Sequence, residues 1–218
     1  MDSSTSFHPY LDELIAFASA EPRKPDLLVA KAEYFQLNGE IFEDDKSFEL
    51  RMASFLDYYL FDRVSPLSGK TPAAEMLEQR AGDPPEVATV FRGFTETHHG
   101  LFEVRRISPG LIRLRDLNTE KDFDVTERRV VAGLEKGDLI EARLIPFAGQ
   151  LLFSQAFIYQ PREAFKLIRA EIKRRKKKEP ERPFSDMLHE CARRALKADR
   201  YRQIAVEKIY DFEGKPVV

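Results

Sequence analysis

The residues of this sequence with the plainest chemical potential are cations. Lys173 to Lys178 reads KRRKKK, an unbroken basic run, and Arg162, Lys166 and Arg169 precede it at helical spacing. Cations along one helix can neutralise several phosphates and bind them with steep salt dependence. They can also meet an acidic protein surface and speed encounter. As a solvated helix end they need no partner, because positive charge is favoured near a helix C-terminus. A second group, Arg193, Arg194 and Lys197 with Arg200 and Arg202, follows on the last helical segment, interleaved with Glu190, Asp199 and Glu207. The expected contact surface is Arg162, Lys166, Arg169, Lys173, Arg174, Arg175, Lys176, Lys177, Lys178, Arg193, Arg194 and Lys197.

Catalytic sets are harder to assemble. Asp116, Asp138 and Glu141, with Arg143 beside them, resemble the acid and base pairs of metal-dependent nucleases, where two carboxylates hold Mg²⁺. The same alternation also makes one charged outer sheet face. Asp116, inside LRDL, reads as a partly buried partner of Arg113, Arg115 or a turn amide. His98 and His99 are adjacent and cannot point the same way, and His189 and Cys191 do not converge on a helix, so no metal site is read. Cys191 sits among apolar helix positions, the setting of an inert thiol. No G-x-S-x-G is present. GKT at 69–71 lacks the first glycine of a phosphate loop, where Val64 stands instead. No catalytic residue and no cofactor follow.

Composition sets the frame. The chain has 218 residues, 33% charged and 43% hydrophobic, with one Cys, no Trp and a formal net charge of -2. This is a globular composition, not a disordered one. A single cysteine excludes an internal disulfide. No run approaches the ~18 apolar residues of a membrane span, and the acidic start does not read as a secretory signal. A cytoplasmic location is expected. The net charge hides a split: residues 1–150 hold 18 Lys and Arg against 27 Asp and Glu, a balance of -9, and residues 151–218 hold 17 against 10, a balance of +7.

The elements that must position these residues fall into three parts, 1–99, 100–160 and 161–218. The first reads as helical, with an aromatic stripe at Phe48, Met52, Phe55 and Tyr59. Asp26, Asp45, Thr71 and Asp83 are the expected helix caps, Asn38-Gly39 ends one helix, and His98-His99-Gly100 ends another. From Gly100 the period becomes alternating. Turns at Pro109-Gly110, Asn118-Thr119-Glu120 and Ala148-Gly149 separate strands, with a connection through VVAGLEKGD, and Pro146 is expected at an edge or bulge. The fold class is α+β: a helical N-terminal region, a central five-stranded antiparallel meander or small SH3-like barrel, and basic C-terminal helices. The strand aromatics are expected in the core, with an exposed base-stacking platform as the minor reading.

Three stretches, FLDYYLFDR, GKTPAAEML and the series LFEVRRI…LRDL…DFDV…KGDLIEARLIPF, resemble an uncharacterised group of bacterial proteins. The resemblance spans about residues 45–155. Some of those proteins carry a C-terminal Cys/His metal-binding tail that this chain lacks, and the resemblance implies no activity. The functional expectation is a non-enzymatic, cytoplasmic interaction or regulatory protein. Its basic helices would bind an acidic protein partner, self included. RNA or DNA binding by the same helices and the β-domain is the alternative, and a metal-dependent nuclease is the second.

Overall fold

Prolines set where four helices begin. The computed structural model describes residues 7–127 and 133–214. In it Pro9, Pro25, Pro72 and Pro85 stand in the first turns of α1 (His8–Ala18), α2 (Lys24–Asn38), α4 (Pro72–Gln79) and α5 (Pro85–Thr95). A missing N–H costs nothing there. Thr71 caps α4 as expected, its Oγ1 accepting from the Ala74 amide at 3.2 Å. Gly39, at φ +94°, ends α2.

The other three expected caps are corrected, each because a cation or an amide claims the carboxylate. Asp26 lies inside the first turn of α2 and accepts from Arg63 at 2.9 Å. Asp45 precedes α3 (Phe48–Asp57) and takes the Phe42 amide and Arg200. Asp83 bonds Arg80 at 3.1 Å, leaving Pro84 at the start of α5.

The aromatic stripe does not continue at the helical period. Tyr58–Asp62 winds as a π-turn, with the Arg63 amide donating to the Tyr58 carbonyl at 2.9 Å. This i→i+5 pattern returns every fifth residue to one side, so Asp57 and Asp62 face the same neighbour.

The sheet comprises β1 (His98–Ser108), β2 (Leu111–Asp116), β3 (Asp122–Thr126), β4 (Leu139–Phe147) and β5 (Gln150–Tyr159). Its order is β3-β2-β1-β4-β5, antiparallel throughout. A plain meander is therefore corrected: the chain between β3 and β4 carries β4 round to the free side of β1, a Greek-key step. Residues 130–132 of that expected connection lie outside the described residues. The sheet curls until β3 approaches β5, which are not hydrogen-bonded to each other, so it stays open. At the β4–β5 hairpin Ala148 (φ 49°) and Gly149 (φ 74°) supply the two positive φ angles of a tight hairpin turn. His98 and His99 belong to β1 rather than to the end of α5. Pro146 lies beyond the last β1 partner of β4, where α5 covers the strand: a Cβ on Gly93 would stand 2.4 Å from the Pro146 carbonyl oxygen.

Among the described residues three large apolar groups hold the elements together, with a small fourth in which Ile158 of β5 meets Ala192 and Ala195. One joins α1 to α5 with the end of β4 (Leu14, Tyr59, Phe91, Ile145). A second fills the curl of the sheet (Phe102, Leu114, Ile140, Phe153). The third packs α6 (Phe165–Lys178), α7 (Phe184–Arg200) and α8 (Val206–Ile209) on Leu101 and Leu139. Among the described residues no helix is long and apolar enough to cross a membrane.

Candidate functional site

Alternation along β1 sends its two histidines to opposite faces, as their adjacency requires. His98 Nε2 lies 2.9 Å from Asp116 Oδ2, and its ring stacks on Phe123. Asp116 also accepts from the Asn118 amide at 2.7 Å and the Thr119 hydroxyl at 2.9 Å. It is the turn partner expected, while Arg113 and Arg115 pair with Asp124 and Asp122 instead. These contacts hold Asp116 below its ordinary range against the opposing effect of burial.

On the other face, His99 stands opposite Arg143 in the β1–β4 register, and Glu141 lies two residues from Arg143 on the same side. His99 Nε2 contacts Glu141 Oε1 at 3.1 Å, and its Nδ1 is 3.6 Å from Asp62. Arg143 sits at a bulge between β4 and β5. Its guanidinium donates to Thr97 at 2.9 Å and to Asp62, and its Nε lies 3.4 Å from Asp57. Five ionisable groups thus meet where α3 and the π-turn cross the sheet. Burial and the Arg143 charge push His99 down, but Asp62 and Glu141 outweigh them and raise it to about 9. Asp62 is held at about 2: burial would raise it, and His99 and Arg143 prevail. Asp57 is raised, because its burial outweighs Arg143.

A cavity of about 20 Å³ opens among these groups, Tyr34, Tyr58, Asn38 and His189. It is the size of one water. Among the described residues Glu141 Oε2 and the Tyr34 hydroxyl are buried there without a hydrogen-bond partner. The sequence reading missed this cluster. Its signals were the adjacent histidines, Glu141-x-Arg143 on one strand face, and two aspartates whose fivefold spacing only a π-turn aligns.

The nuclease carboxylates do not meet. Asp116 and Glu141 bond histidines on opposite sheet faces, and Asp138 accepts from Arg162 at 2.8 Å and from the Glu135 amide at 2.7 Å. Among the described residues no three His, Cys, Asp or Glu side chains are placed to share a metal ion.

The expected basic surface divides. Most of its arginines are engaged within the molecule: Arg162 with Asp138 and Glu135, Arg169 with Glu103 at 2.5 Å, Arg174 with Glu171 and Glu179, Arg175 with Glu171 and Glu190. Arg193 and Arg194 donate to the Leu37 and Ile209 carbonyls, and Lys176 to that of Asn118. Lys166, Lys173, Lys177 and Lys178 are exposed, and none makes a hydrogen bond or ion pair among the described residues. Arg169, Lys173 and Lys176 wall a groove of about 610 Å³ against Arg105 and Arg115 of the sheet. Arg193, Arg194 and Lys197 line a different one, of about 520 Å³, between α7 and α8. Cys191 is buried, and burial raises its thiol well above the usual range.

No curated protein and no solved structure matches this chain. A family model does, over residues 28–186, a span that runs from within α2 to the start of α7 and takes in the whole sheet between them. The chain belongs to that family, the family of unknown function DUF7986.

Proposed function

We propose that this chain is a non-enzymatic binding module whose outer α6 face takes an acidic protein partner. The observation that carries the reading is the division of labour within α6. Its arginines are engaged within the molecule, whereas Lys166, Lys173, Lys177 and Lys178 are exposed and have no ion-pair partner among the described residues. Lys166, Lys173 and Lys177 recur at spacings of seven and four, which places them on one side of the helix. The groove beside them, about 610 Å³, has cations on both walls. Glu103 and Asp122 pair with Arg105, Arg169 and Arg115 there, so among the described residues Lys173 is the wall cation left for an acidic segment. A protein partner fits better than a single-stranded nucleic acid. Phe102, Phe153 and Phe157 are buried and the outer face of β2 and β3 carries Arg–Asp pairs, which leaves no stacking platform there.

The test compares a labelled glutamate-rich peptide with a single-stranded RNA, each titrated into the wild type and into the variant with Lys166, Lys173, Lys177 and Lys178 all changed to Ser. Exposed ion pairs of roughly 0.2–1 kcal/mol each set an expected loss of about tenfold or more in peptide affinity, at unchanged thermal midpoint. Tighter binding of RNA than of peptide selects the nucleic-acid alternative. Equal peptide binding by both proteins overturns the reading.

A further inference from the structure

His189 has one ring nitrogen committed and the other uncommitted. Asn38 Nδ2 donates to the Tyr34 carbonyl at 3.0 Å, which turns its Oδ1 toward His189 Nδ1 at 3.1 Å. An amide oxygen only accepts, so Nδ1 carries the hydrogen and Nε2 the lone pair. The edge of Tyr58 packs against the ring at 6.3 Å. Among the described residues Nε2 has no hydrogen-bond partner. Burial lowers His189 below its ordinary range. The carboxylates of Glu141, Asp62 and Asp186 work against that, and the His99 charge works with it. The result is a neutral imidazole with a fixed tautomer, standing where the small buried cavity meets the groove between α7 and α8.

That groove, about 520 Å³, is of small-molecule size. Its two carboxylates, Asp186 and Glu190, are both paired with Arg182, and among the described residues neither Arg193 nor Arg194 forms an ion pair. Arg193 and Arg194 are held by carbonyl oxygens, which satisfy N–H groups and leave the charge in place. Arg194 lies over Phe212, 4.4 Å from the ring centroid, and burial lowers it against the opposing charges of Glu190 and Asp211. Guanidinium forks suit phosphoryl oxygens, and Phe212 offers an apolar wall.

We propose that this groove is a binding site for a small phosphomonoester, its phosphoryl group held by the Arg193 and Arg194 guanidinium groups and sharing a proton with His189 Nε2. The site is separate from the α6 face, so either reading can fail alone. The second ionisation of a phosphate ester lies near pH ~6. At pH 7 it arrives mainly as the dianion, and the complex takes up a proton from solution between phosphoryl oxygen and imidazole.

The experiment is calorimetric titration of the full chain with phenyl phosphate at pH 7, in two buffers of different ionisation enthalpy, with benzoate as the carboxylate control. The expected result is saturable binding whose heat depends on the buffer, and weaker binding of benzoate. Arg193→Gln should bind about tenfold more weakly, the scale of one charged hydrogen bond. His189→Gln should lose the buffer dependence, and Lys173→Gln with Lys177→Gln should change nothing. On the wild type, the ¹⁵N signal of His189 Nε2 should move toward its protonated position as phenyl phosphate is added, a readout independent of how any variant folds. Absence of saturable binding, equal binding of benzoate, or an unmoved Nε2 signal overturns the proposal.

Discussion

His99 and Arg143 meet three carboxylates where two layers cross, and each of the five charges there depends on the others. Ions taken out of water are expensive, and removing one partner leaves its counter-charge stranded. The consequence is a pH dependence of definite sign. The folded state raises His99 from its ordinary 6.5 to about 9, so it binds the proton more tightly than the unfolded chain does. That contribution is whole below pH 6.5 and is lost as pH rises through about 9. Asp62 runs the other way: its contribution stands above its ordinary 3.8 and disappears as pH falls through about 2. Urea unfolding of the wild type should lose about 3 kcal/mol between pH 6 and 10 from the His99 proton. His99→Gln should be less stable at pH 6 and flatter across that window. Equal slopes for the two proteins would remove His99 from the account.

The elements that hold this cluster are those a periodic reading handles worst. Strand alternation was legible: Ile112, Leu114 and Asp116 are buried on β2 and Arg113 is exposed, as their period-two spacing requires. Thr71 and Gly39 were legible because their cap chemistry is local. Asp26, Asp45 and Asp83 were not, because partners such as Arg63, far along the chain, compete for the carboxylates. The π-turn was invisible to a stripe drawn at the helical period, and with it went the alignment of Asp57 and Asp62. Strand order escaped for a different reason. A run of alternating residues specifies which side faces the core, not which neighbour it pairs with. The seating of α5 on β4 offers a test at this scale. Gly93→Ala would drive a methyl into the Pro146 carbonyl, where backbone must move, and should cost roughly 1–3 kcal/mol in urea unfolding. A neutral result would show that α5 can slide along the strand end.

Over the whole molecule the split between an acidic body and a basic C-terminal part becomes a set of internal contacts. Arg169 meets Glu103, Arg162 meets Asp138, and Arg200 meets Asp45. Beneath them Ile168, Ile172, Met187 and Tyr210 pack on Leu101 and Leu139, and buried Arg51 donates to the Ala192 carbonyl at 2.8 Å. The C-terminal helices are thus a wall of the fold. Surface pairs contribute little each and are screened by salt, whereas apolar burial is not. Salt should therefore separate folding from binding. Between 50 and 500 mM NaCl the full chain should keep one unfolding transition, coincident by near- and far-ultraviolet circular dichroism, with a midpoint shifted by only a few degrees. Over the same range the affinity of the α6 face for an acidic peptide should fall steeply, because Lys166, Lys173, Lys177 and Lys178 have no partner to lose among the described residues. Two resolved transitions at high salt would mean that ion pairs, not the shared apolar cluster, fasten the C-terminal helices, and that the charge split is what holds the molecule together.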